Sequence, residues 1–526
     1  MMRNTLALLL VTSLASCNFA PKYVTPELPV PPSWPVGDAY LRQSEAALPA
    51  ITYPSVFTDT RLQRIIAQAL DNNRDLRVAA ANIRAARAQY RIQRAELFPQ
   101  VDATGRYTYS GGGNGGSNTT GSGTGNGGTG TGTTPGNGTG GTGTGGTGTG
   151  TGTITSNSSS NSFWSANIGT TAFELDVFGR IRNLSRAALD RYFGTEAAAR
   201  TVRLTLVGDI ADAWLTYAAD VSLLRIAQNT ASVAQRSVQL NRARLRGGIS
   251  PRTDVAQAEQ ILATAEADLA QQRTLVAQDA NLLQLLVGAP VDPTLLPANI
   301  DEAAATIAAL PAGLDSRVLL RRPDVVQAEY DLRAANAEIG AARGALFPRI
   351  SLTGIVGLAS NALSSLFTSD AFNYSVSPQV SYSIFQAGAA RANVRLTQAQ
   401  RDAALASYER TIQVAFRETA DALARQGTIA EQLAAVRRNV AATTDTLRLT
   451  EASYRGGISP FLNPLDAQRS AYAAQRTLVT TQQVAASNRV ALYRVLGGDS
   501  SLEATANGPL PVTPSGAPRP DLDEPR

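Results

Sequence analysis

Four short stretches of the chain alternate apolar and polar residues with a period of two. Val101, Ala103, Gly105, Tyr107 and Tyr109 interleave with Asp102, Thr104, Arg106 and Thr108, and Trp164, Ala166 and Ile168 with Ser165, Asn167 and Gly169. Ile350, Leu352, Gly354 and Val356 oppose Ser351 and Thr353. Tyr374, Val376, Pro378, Val380, Tyr382 and Ile384 oppose Ser375, Ser377, Gln379, Ser381 and Ser383. Such alternation over roughly ten residues predicts strands, and with aromatics near the ends it is the pattern of a membrane-spanning β-strand or of a half-buried soluble sheet. Nearly all the rest is helical in pattern. The runs Gly179–Leu245 and Ala387–Arg455 contain no proline and are dominated by Ala, Leu, Arg and Gln. Each is roughly seventy residues, on the order of 100 Å if continuous. Ile429, Leu433, Val436, Val440, Thr443, Leu447, Thr450 and Tyr454 follow a 4-3 spacing. Asp220, Leu224, Ala227, Ala231, Ala234, Val238, Asn241 and Leu245 repeat it with smaller side chains. A seven-residue repeat predicts coiled-coil packing.

The pattern occurs twice. Leu97–Gly105 returns as Leu346–Gly354, and Arg246-Gly247-Gly248-Ile249-Ser250-Pro251 returns as Arg455-Gly456-Gly457-Ile458-Ser459-Pro460. The first half carries about forty more residues between its signatures, and a Gly/Thr/Ser/Asn tract over 110–162 accounts for them. The chain therefore reads as a tandem duplication with a low-complexity insert in one copy. That insert cannot bury a core and is expected to be a loop. In each Gly-Gly-Ile-Ser-Pro element, glycine closes one long helix and Ser-Pro opens the next, making a hairpin tip. As a phosphate-binding loop it fails, because no strand precedes it and no Lys-Ser/Thr follows.

The N-terminus changes the compartment. Met1-Met2-Arg3-Asn4, an apolar run over Leu6–Leu14 and Ala15-Ser16 read as an export signal, too short to span a bilayer as a mature helix. Cys17 is the only cysteine, so it has no disulfide partner within the chain. Leu14-Ala15-Ser16-Cys17 resembles a lipobox, in which the cysteine is acylated and becomes the mature N-terminus. Asn18, in place of Asp, points to the outer membrane. There is no histidine, which removes the commonest general base and metal ligand, and the expectation is no enzyme and no metal. The net charge of +5 is spread along helices among acids, so nucleic-acid binding is not expected. No apolar run of the mature chain is long enough for a transmembrane helix, so a membrane crossing must be made of strands.

Four strands cannot close a barrel, and open edges are not tolerated in lipid. The chain is expected to oligomerise, and three copies would supply twelve strands. At this point the sequence resembles the TolC-like outer membrane factor family, in its lipidated NodT/OprM-type efflux branch. The resemblance rests on Cys17, Ala20-Pro21-Lys22-Tyr23, Leu97-Phe98-Pro99, Phe173–Arg180, Arg321-Arg322-Pro323-Asp324, Leu346-Phe347-Pro348 and Leu465-Asp466-Ala467-Gln468-Arg469. It covers nearly the whole mature chain except the insert. It implies an α/β membrane protein: a homotrimer with a 12-stranded outer-membrane β-barrel, four strands per chain, continued by a long α-helical coiled-coil barrel in the periplasm. It also implies a periplasmic membrane-fusion adaptor and an inner-membrane RND-type pump as partners, besides outer-membrane lipid.

On that reading the chain divides into a signal (1–16), a lipidated extended arm (17–57), a first repeat (58–300), a linker (301–319), a second repeat (320–499) and a Pro-rich tail (500–526). The expected function is a passive efflux exit for drugs and toxic small molecules, the alternative being the outer-membrane exit of a type I protein secretion system. The site residues are Cys17 for lipidation, and Arg246–Pro251 and Arg455–Pro460 for the tip, where an adaptor docks or the tunnel closes. Members of the family often carry an acidic ring near that tip. Here the turns are flanked by Arg246 and Arg455, with Asp254, Glu451 and Asp445 the nearest acids.

Overall fold

The computed structural model describes residues 18–35, 37, 40, 51–110, 161–309 and 316–512. The signal segment, Cys17, all but the ends of the insert, and the tail beyond 512 lie outside the described residues. The described residues form two compact units, one from within 1–97, 176–348 and 382–526, the other from 98–175 and 349–381.

The smaller unit is an antiparallel sheet of β1 (Asp102–Ser110), β2 (Asn161–Leu175), β3 (Arg349–Ser360) and β4 (Phe372–Ser381), in that order. All four predicted strands form. β2 is longer than the alternation suggested, because the ladder to β3 shifts register between Thr170 and Phe173, where Ala172 adopts a φ of 53°. An extra residue in one strand breaks the period-two pattern without ending the strand. β4 stops at Ser381, before the predicted Ile384. Every residue of β4 is exposed, Tyr374, Val376 and Val380 among them. β1 and β4 each pair on one side only.

The larger unit is helical. Its first half holds α1 (Tyr53–Val56), α2 (Thr60–Asn72), α3 (Arg74–Ala95), the 67-residue α4 (Arg180–Arg246) and α5 (Arg252–Val287). A short α6 (Ile300–Ala305) falls where a linker was expected. α7 (Pro323–Gly344), the 67-residue α8 (Ala389–Arg455) and α9 (Leu462–Val495) complete it. α3 packs on α4, α4 on α7 and α7 on α8, while α5 lies along α4 and α9 along α8. Among the described residues no helix is long and apolar enough to cross a membrane.

Local chemistry explains how these helices start. The Asp176 carboxylate accepts from the backbone N–H of Ile181 and of Arg182, at 3.1 and 2.8 Å, satisfying two orphan donors of α4. Gly179, at φ 71°, supplies the left-handed residue before the helix. The helices are held by a core of Ile65, Ile66, Ile210, Trp214, Leu283 and Tyr493, all fully buried. The Pro-rich tail expected over 500–526 is folded in its first part: β5 (Leu502–Thr505) pairs with β6 (Gly508–Pro511). Leu502 is fully buried with Phe193 and Tyr330, and four-residue strands leave too little pattern for a sequence reading to catch.

One feature of the long helices titrates. Asp220 of α4 and Asp279 of α5 meet across the helix pair and share a hydrogen bond. Burial, reinforced by that bond and by the like charge of Asp220, pushes Asp279 up to about 7. Asp220 is raised by burial, against which its hydrogen bond with Asp279 pulls the other way. The folded state thus holds a proton that the unfolded chain, titrating near 4, has released. Stability should fall as pH rises from about 4 to 7 and stay at the lower level above. Asp279→Asn should flatten that dependence and raise the unfolding temperature at pH 8 but not at pH 4. Calorimetry of both proteins across this range checks it, and an unchanged slope in the variant would refute the pair as its source.

Candidate functional site

The two repeated turns lie at the ends of the long helices and fold alike. Gly247 N–H donates to Ala243 O at 3.0 Å, Gly248 to Leu245 O at 3.0 Å and Ile249 to Arg244 O at 2.9 Å. Gly456, Gly457 and Ile458 repeat this onto Ala452, Tyr454 and Ser453 at 3.0, 3.0 and 2.9 Å. Only the second glycine of each pair, Gly248 at φ 70° and Gly457 at φ 73°, requires the left-handed region. Ile249 and Ile458 project into solvent, 71% and 83% exposed, unusual for isoleucine and consistent with a contact surface. Pro251 and Pro460 lie just before α5 and α9. Ser250 is buried, and its hydroxyl donates to Asp254 Oδ2 at 2.7 Å.

Among the described residues, neither predicted arginine forms an ion pair with another helix of the chain. Arg455 Nη2 lies 2.7 Å from Glu451 Oε2, one turn back on its own helix. Arg246 makes no ion pair among the described residues. Asp445 likewise pairs within α8, at 2.8 Å from Arg448. The tie between the hairpins is made one turn deeper. Tyr454 Oη donates to Asn241 Oδ1 at 2.6 Å, with Asn241 fully buried. The Arg244 guanidinium sits 4.5 Å over the Tyr454 ring and reaches Tyr454 O at 3.4 Å. Burial raises the Tyr454 pKa, so its hydroxyl remains a donor. Beneath it, Val238, Ala258, Tyr454, Phe461 and Leu465 form a small core shared by α4, α5, α8 and α9.

Tyr454 and Asn241 stand on the predicted seams, where they read as packing positions. Arg244 is beyond sequence reading, since its partner lies 210 residues away. Behind this core a cleft of about 370 Å³ opens between α5 and α9, lined in part by Gln257, Thr264, Asp268, Leu465, Arg469 and Tyr472. Tyr472 Oη donates to Asp268 Oδ2 at 2.9 Å across it.

An edge-open sheet joined in sequence to paired coiled-coil hairpins defines a class: channel subunits of the outer membrane. Residues 65–289 and 314–498 match the family described as outer membrane efflux protein, and the chain belongs to that family. It is 39% identical over 502 residues to the probable efflux pump outer membrane protein TtgC of Pseudomonas putida, covering 94% of this chain and 96% of that one. It is 35% identical over 495 residues to outer membrane protein OprJ of Pseudomonas aeruginosa, covering 94% and 95%. Its structure resembles the open state of the MtrE outer membrane channel of Neisseria gonorrhoeae, with a TM-score of 0.72 and 30% identity over 92% of this chain and 98% of that one.

Proposed function

We propose that this protein is the outer-membrane exit channel of a tripartite efflux pump, a passive conduit for drugs and toxic small molecules. The observation that carries the reading is the sheet with two unpaired edges. In lipid, β1 and β4 must find partners, and copies of the same chain offer them. Three copies give a 12-stranded barrel, with the helices continuing as a periplasmic tunnel. The family membership and the efflux names of its relatives support this. The chain performs no reaction, and the energy comes from an inner-membrane RND-type pump through a periplasmic adaptor. Arg246–Pro251 and Arg455–Pro460 are the periplasmic tips that meet the adaptor, with the α5–α9 cleft beside them. Acyl chains on Cys17 anchor the N-terminus to outer-membrane lipid, each buried methylene adding about 0.8 kcal/mol.

The test is expression in cells that keep a pump and adaptor but lack their own exit channel. Efflux of a pump substrate should be restored, and the purified protein should run as a trimer by native mass spectrometry. A stable monomer that forms no channel in planar bilayers would overturn the proposal. The same spectra should show acylated Cys17 as the first residue, whereas an unmodified cysteine would remove the anchor.

A further inference from the structure

Phe19–Tyr23 run along one face of α7 as a strap, against the direction of the helix. The Phe19 ring stacks on Phe347 at 4.7 Å, and Phe347 stacks on Phe178 at 4.8 Å. Arg343 Nη1 donates to Phe19 O at 3.2 Å, and Asn336 Nδ2 to Pro21 O at 2.8 Å. Between them Ala20 fills a notch at Gly340, where a Cβ would lie 2.7 Å from the Ala20 Cβ and 2.8 Å from its N and Cα. Tyr23 Oη donates to Glu329 Oε1 at 3.3 Å, and its ring lies 5.0 Å from Arg333 Cζ. The seat thus uses positions 343, 340, 336, 333 and 329, the 3-4 stripe of a single helix face.

The opposite end of the chain meets the same guanidinium. Arg333 Nη1 donates to Thr505 O at 2.9 Å and Nη2 to Ala504 O at 3.4 Å, both in β5. Nε and Nη2 hold Glu329 Oε1 at 3.2 and 2.6 Å. Tyr330 Oη donates to Thr505 O at 2.9 Å and accepts from Thr505 N at 3.0 Å. Arg333 therefore presents its fork to the C-terminal hairpin and its face to the N-terminal strap.

We propose that Arg333 clasps the two ends of the chain, so that docking of the strap at 19–23 and closure of the hairpin at 502–511 are coupled. The reason is entropic as well as geometric. A long side chain carries about 2 kcal/mol of rotamer freedom. Whichever segment docks first immobilises it, and the second then binds a side chain already in place. Coupling of this kind is reciprocal by thermodynamic necessity. Each segment therefore finds a better-ordered seat on α7 once the other is in place.

Hydrogen exchange of the full-length assembled protein, read by mass spectrometry, tests this. Gly340→Ala favours helix but fills the Ala20 notch, and Phe19→Ala removes the ring stack; either releases the strap without touching the hairpin. Exchange across 502–511 should then quicken on the order of tenfold. Conversely Gly508→Ala, at φ 121° and with its Cβ 2.9 Å from Phe193, loosens the hairpin and should quicken exchange in 19–24. In an Arg333→Lys background, which loses the fork, strap release should no longer alter the hairpin. If both strap variants free residues 19–24 while 502–511 exchange as before, or if the Lys background leaves the coupling intact, the clasp is refuted.

Discussion

Replacing Tyr454 by alanine is expected to open the tip. The ring is the centre of the small core shared by four helices, and its hydroxyl is the donor to the fully buried Asn241. Truncating a buried aromatic side chain costs about 3–5 kcal/mol, on the order of a hundredfold or more in a two-state equilibrium. Asn241 Nδ2 keeps its bond to Ser237 O at 3.0 Å, but Oδ1 is left buried without a donor, a further penalty of about 1–3 kcal/mol. Arg244 loses the face it stacks on. α4 and α8 are then released from each other near the turns. Single-channel conductance in planar bilayers should rise well above that of the unaltered protein. Tyr454→Phe keeps the ring and should give a smaller rise. Arg246→Ala, which breaks no ion pair among the described residues, should conduct as the parent does but weaken efflux if this arginine meets the adaptor. A correctly assembled Tyr454→Ala trimer with parental conductance would show that closure is held elsewhere.

Trp214→Ala should be the most destabilising single change in the helical unit. The indole is fully buried, its Nε1 donates to Leu295 O at 3.2 Å, and the Arg61 guanidinium lies 5.9 Å from the ring. It belongs to the same buried core as Ile65 and Ile66 of α2, Leu283 of α5 and Tyr493 of α9. The cavity should cost about 3–5 kcal/mol, with the orphaned carbonyl adding about 1–3. Trp214→Phe retains most of the buried area and should cost less than half as much. Chemical unfolding of the three proteins in one detergent checks this, and equal losses for Ala and Phe would mean that packing is not the cause.

Much of this was legible because repetition and periodicity are properties of the chain itself. The helix ends fell within two residues of those predicted, since proline, glycine pairs and capping residues act locally. The seam of α8 is visible as burial: Leu433, Val436, Val440, Thr443, Leu447 and Thr450 are half-buried, Ile429 and Tyr454 buried, and nearly all residues between them exposed. On α4 the same seam holds except at Leu245, which is exposed. The emphasis on Arg246 and Arg455 came from their nearness to the turns. The contacts that join the hairpins instead involve Asn241, Arg244 and Tyr454, whose pairing has no local signature.

By itself the sequence determined the element types, the doubling of the pattern, the hairpin tips and the presence of four strands, too few to close a barrel alone. These follow from side-chain periods and backbone preferences that operate within a few residues. The tertiary structure alone decided that Tyr454 bonds Asn241, that Asp220 meets Asp279, and that Arg333 contacts both Tyr23 and β5. Each joins residues tens to hundreds of positions apart. A hydrogen bond or a shifted pKa depends on distances of a few ångströms, and no pattern along one strand of chain encodes which distant atoms will meet at that range.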